Sequence, residues 1–114
     1  GLASGIIPAT LARLPPAPGL LAWIGPGIGP LHYRVGEDLR ARFLATDARH
    51  ATAFVHRDGA WFANLAELAR QQLARAGLTH VFSSGLCTYA DPARFFSFRR
   101  EAACGRIASL IWLD

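Results

Sequence analysis

The sequence contains no methionine and no lysine, and it has only two cysteines, Cys87 and Cys104, among 114 residues. Two cysteines are too few for a disulfide framework, so we expect reduced thiols of the kind found in the cytosol. Methionine is missing even from position 1. Either an initiator was removed together with further residues or the chain is a piece of a longer protein, and a cytoplasmic location is expected in both cases.

Long hydrophobic runs are also missing, because no apolar stretch reaches the roughly 18 to 20 residues that a membrane-spanning helix needs. The first residues lack the basic segment that opens a signal peptide. Charged residues make up only 18% of the chain and hydrophobic residues 52%, which excludes a disordered chain. We expect a single domain over residues 1–114 that buries its own core and contacts no membrane.

Positive charge is supplied by arginine alone, with twelve Arg against eight acidic residues and a net charge of +4. The planar Arg side chain suits phosphate and carboxylate groups, but a charge of this size is also ordinary for a small soluble domain. Nucleic-acid binding is disfavoured. The aromatic and basic run at residues 95–100, FFSFRR, lacks the glycine that an RNA-binding strand motif requires.

The hydrophobic pattern predicts helices and strands in mixed order. Asn64 with Glu67 is typical of a helix N-cap, and Asp58-Gly59 between alternating apolar residues is typical of a β-hairpin turn. Neither strict βαβ alternation nor an all-β order results, so we predict an α+β fold with helices packed on a mixed β-sheet. The predicted helices cover residues 5–14, 36–47 and 64–77, and the predicted strands cover residues 20–24, 52–56, 60–62, 80–83, 95–100 and 106–113.

Two candidates for special chemistry are weak. The glycine-rich stretch GPGIGP at residues 25–30 matches neither common phosphate-loop pattern, which favours a purely structural role. The four histidines lack ligand spacing, and neither cysteine has a local pattern that activates a thiol. The sequence therefore predicts no metal, no cofactor and no catalytic residue within this chain.

The densest candidate site lies in residues 95–106, FFSFRREAACGR, which holds three Phe, one Ser and three Arg. If residues 95–100 form a strand, alternate side chains share a face, so two Phe rings enter the core while the serine and the first Arg face an anion. Arg100 would be directed elsewhere. The other interpretation is that the Arg side chains are solvated or paired with Asp91 and Glu101. The predicted substrate- or phosphate-binding residues are Ser97, Arg99 and Arg106.

Seven segments in order resemble one family, the laccase-like multicopper polyphenol oxidases, also described as zinc-dependent purine nucleoside phosphorylases. These segments are AWIGPGIGP, HYRVG, NLAELARQQLARAGL, CTY, RFFSFRR, GR and IASLIWL. The resemblance covers nearly the whole chain. It implies half of a larger α/β sandwich domain and phosphorolysis of adenosine, inosine or methylthioadenosine, with adenosine deamination and an older phenol oxidase activity beside it.

The resemblance also implies zinc or copper in the intact family member. The family holds this metal with a His, the Cys of an ADC motif and the His of HAGWRG, and Gly1 resembles the last glycine of that motif. Arg34 stands where the family has Glu, which reverses a charge. We therefore expect a C-terminal portion that is inactive alone and that either binds the missing N-terminal half or associates with itself. The alternatives are a short non-catalytic binding module and a basic nucleic-acid-binding domain.

Overall fold

The computed structural model describes residues 1–15 and 17–112. Three-ten turns at Leu2–Ser4 and Ala48–Ala53 accompany the α-helices and β-strands of these residues. No helix among them is both long enough and apolar enough to cross a bilayer. The elements are α1 (Ile6–Leu11), β1 (Ala22–Ile24), β2 (Arg34–Val35), α2 (Glu37–Thr46), β3 (Phe54–Arg57), β4 (Ala60–Ala63), α3 (Leu65–Arg75) and β5 (Val81–Ser83).

An antiparallel sheet of order β2-β4-β3 forms the middle of the molecule. The predicted hairpin is confirmed, with Val55 opposite Phe62. Asp58 and Gly59 both have positive φ, 50° and 72°, as the tightest hairpin turns require. Only glycine and a few short polar residues adopt this conformation easily, so the Asp-Gly pair determines where the chain reverses.

Helix α3 begins where the sequence predicts. The Asn64 side chain accepts a hydrogen bond from the Glu67 N–H at 3.0 Å, which confirms the N-cap. The reciprocal bond of a capping box is not made, because the Asn64 N–H donates to the carbonyl of Ala53 at 2.8 Å. Gly77, with φ of 87°, follows the end of the helix. Ala76 is exposed, since it lies past the last helical turn.

The core lies between the antiparallel sheet, α2 and α3. Phe43 from α2 and Leu68 from α3 are 2% and 0% exposed, and each such side chain contributes about 1.5 to 3 kcal/mol by leaving water. Val35 and Leu39 are partly buried and pack against this cluster. The buried members of the core are Phe43, Ala53, Phe54, Ala63 and Leu68.

A second, smaller sheet pairs β1 with β5 in parallel. The predicted strand at residues 20–24 is confirmed in its last three residues, but it is not buried on both faces. Trp23 lies opposite Phe82 in the register, and both side chains are more than half exposed. With parallel and antiparallel sheets joined by helices, the predicted mixed class is confirmed.

The two predicted C-terminal strands do not form in the part of the chain that the structure describes. Residues 95–97 have no regular structure and residues 98–100 form a turn. The expectation that Phe96 and Phe98 enter the core is wrong, because they are 55% and 59% exposed. Residues 106–112 have no strand partner, and Leu113 lies outside the described residues. A strand is stable only when its backbone groups pair with a neighbouring edge, and within the described residues these two segments form no ladder with any strand.

Candidate functional site

A cavity of about 480 Å³ opens at the carboxyl ends of the parallel strands β1 and β5. Its walls come from the loops at residues 25–32 and 84–90 and from the first turns of α3. Gly27 and Cys87 join the two loops as an isolated parallel bridge. Open α/β sheets bind ligands at this position, outside the carboxyl ends of their strands. The cavity is therefore the main candidate for a site.

Cys87 lies in the wall of this cavity against Gly29. The Gly29 N–H donates to the Cys87 Sγ at 3.1 Å, and a Cβ on Gly29 would lie 3.2 Å from the same sulfur, so a side chain there would crowd it. Partial burial raises the pKa of the Cys87 thiol, but the backbone N–H groups of Gly29, Ala90 and Tyr89 together outweigh it and lower that pKa. The glycine-rich loop thus serves the structural role that its sequence favours.

The polar groups around the cavity are few. His32 stacks on Tyr89, with ring centroids 4.4 Å apart and 16° between the planes. The hydroxyls of Ser83 and Ser84 accept hydrogen bonds from backbone N–H groups two residues further on. The remaining wall is mostly apolar, from residues such as Ile24, Ile28 and Leu65. Such a cavity suits a flat, mostly apolar ligand that makes a small number of directed polar contacts.

Arg100 fastens the segment at residues 95–100 to the loop after β5. Its Nη1 donates to the carbonyls of Thr88 at 2.7 Å and Tyr89 at 3.0 Å, and its Nη2 donates to the carbonyl of Phe95 at 2.7 Å. Arg100 and Arg99 thus have different partners, but strand alternation is not the reason, because residues 95–100 form no strand. A guanidinium with three carbonyl partners has a structural role, since it holds two chain segments together.

The other two predicted arginines have exposed guanidinium groups with different partners. Arg99 donates to the carbonyl of Arg34 at 2.8 Å and lies 4.9 Å above the Tyr33 ring. Arg106 donates to nearby backbone carbonyls and lies 5.5 Å from the Phe98 ring. Neither forms an ion pair within residues 1–15 and 17–112, so the charge of each is available to an anion.

Ser97 differs from its neighbours because it is 6% exposed. Its carbonyl accepts from the N–H groups of Arg100 and Glu101 and closes the turn. The Phe96 ring lies against Gly105, where a Cβ would be 2.7 Å from the ring. Ser97 shares no hydrogen bond with either exposed arginine. None of the three predicted residues, Ser97, Arg99 and Arg106, lines the cavity.

Of the alternative interpretation, in which the candidate arginines are solvated or paired with Asp91 and Glu101, the pairing is not seen among the described residues. Asp91 accepts from Arg94 instead, and this bond lowers the pKa of the Asp91 carboxyl. No three side chains of His, Cys, Asp or Glu in the described ranges come close enough to hold a metal ion. These residues therefore do not fit a zinc or copper centre.

The family resemblance implies Ile24, Gly29 and Cys87 as part of a pocket wall, and all three line this cavity, but sequence reasoning did not predict the contact between Gly29 and Cys87. The two residues are 58 positions apart, and only the parallel pairing of β1 with β5 brings their loops together. A signal was present in the two short apolar runs at residues 20–24 and 80–83, each followed by a glycine-containing loop. Pairing these runs in parallel would have placed both loops at one edge.

Comparison with known proteins gives consistent relatives. The chain is 48% identical over 117 residues to a purine nucleoside phosphorylase of Xylella fastidiosa and 40% identical over 114 residues to purine nucleoside phosphorylase YfiH of Escherichia coli. These matches include 99% of this chain but 45% and 47% of the relatives. The chain thus spans about half the length of the curated relatives it matches.

A solved structure gives the same result. The crystal structure of Neisseria meningitidis protein NMB0706 superposes with a TM-score of 0.90 at 37% identity, and it includes all of this chain and 48% of that one. The model of one protein family, described as multi-copper polyphenol oxidoreductase laccase, matches residues 1–114. The chain therefore belongs to the multi-copper polyphenol oxidoreductase laccase family.

Proposed function

We propose that this chain is the C-terminal portion of an enzyme that cleaves adenosine, inosine or methylthioadenosine with phosphate. The observation that carries the proposal is an apolar cavity beside an exposed guanidinium that has no carboxylate partner among the described residues. Tyr33, on which Arg99 lies, directly follows His32 of the cavity wall. A flat base and a phosphate dianion need these two environments side by side. The names of the relatives support the same activity.

In this proposal Ser97, Arg99 and Arg106 bind the phosphate. A charge-assisted hydrogen bond from Arg contributes about 1.5 to 3 kcal/mol, and the planar guanidinium can make two at once. Arg34 lies beside Arg99 through the carbonyl that Arg99 holds. Its positive charge, where the family resemblance implies Glu, strengthens the local attraction for an anion.

The rest of the site would come from the N-terminal half. The described residues hold no metal cluster, so the zinc or copper of the intact family is assigned to that half, as is the accompanying adenosine deamination. Trp23 and Phe82 form an exposed apolar face on the parallel sheet. We propose that the N-terminal half covers this face, and that self-association replaces it when the chain is alone. The free thiols Cys87 and Cys104 support a cytoplasmic setting.

The test is a chimera that joins the N-terminal half of the Xylella fastidiosa relative to Gly1 of this chain. We expect the chimera to release adenine from adenosine only when phosphate is present, and the 114-residue chain alone to release none. Arg99→Ala or Arg106→Ala in the chimera should raise the KM for phosphate about tenfold or more, because each loses charge-assisted bonds. Chromatography of the released adenine measures both the dependence of the reaction on phosphate and the KM for phosphate.

Arg94→Ala is the matched control, since Arg94 lies in the same segment but is paired with Asp91. Its phosphate KM should stay unchanged. A folded chimera without phosphorolysis would overturn the enzymatic proposal in favour of a binding module. Normal phosphate KM values in the Arg99 and Arg106 variants would instead overturn only the assignment of the anion site.

A further inference from the structure

The three most exposed large apolar side chains of the described residues lie together in residues 106–112, the C-terminal segment. Leu110, Ile111 and Trp112 are 82%, 91% and 75% exposed. They are consecutive, and neighbours in an extended chain point to opposite sides, so the segment is open on both of its sides. Apolar side chains stabilise a fold by leaving water, and these three do not leave it within this chain.

The sequence of the C-terminal segment is nevertheless that of a strand. Residues 107–112, IASLIW, are apolar except for one serine, and Ile and Trp favour β-structure. A nearly continuous apolar run of this length is typical of a strand that is covered on both faces. Within residues 1–15 and 17–112, however, no backbone hydrogen bond joins the segment to another residue. The segment thus has the composition of an interior strand but lacks a neighbouring edge.

The C-terminal segment passes the small parallel sheet at the end of β1. A Cβ on Gly25, the residue after β1, would lie 3.6 Å from the Ser109 Oγ and 3.2 Å from the Trp23 ring. Trp23 is itself more than half exposed. The unpaired segment and the exposed face of the parallel sheet therefore meet near Gly25, so one partner can cover both.

The length of the relatives favours one partner over a second copy of this chain. The matched parts make up only 45% and 47% of two curated relatives, so about as much chain again lies outside the match. Two copies that pair segment to segment form a two-stranded ribbon, which is marginally stable in water and leaves both faces open. A further half of similar length can supply both a pairing edge and the layers that cover the two faces.

We propose that the C-terminal segment becomes a β-strand by adding to an open strand edge in the N-terminal half of the intact protein. This inference rests on the proposed function above, since it takes the chain to be one portion of a longer enzyme. The partner presents a row of free N–H and C=O groups between two apolar layers. The strand forms only on pairing, because its backbone groups and its side chains find their partners at the same time.

Hydrogen–deuterium exchange of the chimera described above and of the chain alone tests this proposal. In the chain alone, the amides of residues 107–112 should exchange as in an unstructured peptide. In the chimera they should exchange about a hundredfold more slowly or less. Fast exchange in a chimera whose Leu68 amide is protected inside α3 would overturn the proposal. Equal protection in the chain alone at high concentration would also overturn it, because the partner would then be a second copy.

Proline variants of the chimera test the pairing itself. Proline has no N–H to donate to a ladder, and adjacent residues of a strand direct their N–H groups to opposite edges. At least one of Leu110→Pro and Ile111→Pro should therefore speed exchange across the segment about tenfold or more. Leu110→Ala keeps the N–H and is the matched control. Equal acceleration in all three variants, or none in either proline variant, would contradict strand pairing.

The outcome of these measurements is separate from that of the phosphorolysis test, because exchange is followed without substrate. If the chimera does not fold, the intact Xylella fastidiosa relative takes its place, since the match between the two includes 99% of this chain. The amides that align with residues 107–112 should be protected there. Fast exchange at those amides in the folded relative would overturn the proposal in the same way.

Discussion

Large apolar side chains are buried in one region of the molecule, residues 33–76, and exposed in another, residues 81–112. In the first, Phe43 and Leu68 are 2% and 0% exposed and face a common core. In the second, Phe82 and Leu110 are 57% and 82% exposed. Both regions are rich in large apolar residues. The difference therefore lies in which neighbours each region finds within this chain.

The first region buries its apolar side chains against its own residues because its elements are close together in the sequence. A two-residue turn joins β3 to β4, and α3 begins directly after β4. The second region depends on partners that are distant or missing, since a pair of three-residue strands is only marginally stable by itself. Self-sufficiency in this fold thus follows from short connections more than from hydrophobic content.

The sharpest test of this contrast compares two phenylalanines. Phe43→Ala should lower the free energy of unfolding by about 3 to 5 kcal/mol, because it empties a packed site. Phe82→Ala should change it by far less, about 1 kcal/mol or below, because the side chain is already more than half exposed. Urea denaturation of both variants measures the difference. Equal losses would show that β5 is part of the same closed core.

A smaller effect is expected at the start of α3. Asn64→Ala removes the side-chain acceptor for the Glu67 N–H and should cost about 1 kcal/mol. Asn64→Asp keeps an acceptor at the same place and should retain nearly all stability. The unfolding temperatures of the two variants give the comparison. An alanine variant as stable as the unaltered protein would show that the cap does not stabilise this region.

The pH dependence of stability should come largely from the first region. The Arg49 side chain and N–H bond to Asp47 and hold the pKa of its carboxyl far below the usual value. The unfolded chain takes up a proton near pH 4, so stability is full above that pH and falls as the pH is lowered further.

The Asp47→Asn variant should accordingly be less stable at pH 7, and its free energy of unfolding should fall less as the pH is lowered. Asp58→Asn is the control, because the Asp58 carboxyl is 91% exposed and its nearest cation, Arg57, is 3.8 Å away. Its profile should match that of the unaltered protein. Denaturation midpoints between pH 7 and pH 3 distinguish the two, and an unchanged acid response in Asp47→Asn would contradict the assignment.

The smallest effect on stability is expected at the end of the chain. Ile111 is 91% exposed, so Ile111→Ser should leave the unfolding free energy within about 0.5 kcal/mol of its original value. The same change should reduce self-association, measured by light scattering against concentration, because exposed apolar groups drive contact between copies. A clear loss of stability would mean that the second region is better closed than its exposure indicates.

Elements that depend on neighbours in sequence could be predicted from it. The Asp58-Gly59 turn, the Asn64 cap and the face of α2 that carries Phe43 all follow from short-range chemistry. The strand predicted at residues 95–100 failed, because alternation of apolar and polar residues does not reveal whether a pairing edge exists. The contact between Gly29 and Cys87 could not be predicted, since it depends on how two distant strands pair.

The close approach of the Phe96 ring to Gly105 gives this pair a role in steering the polypeptide. The ring occupies the space next to the Cα of position 105, and glycine fits there because it has no Cβ. A larger residue at position 105 would have to displace either this half-exposed ring or the chain that leads from Gly105 to Ser109, which lies near Gly25. A bulkier residue at 105 should therefore be tolerated better where the side chain at 96 is smaller.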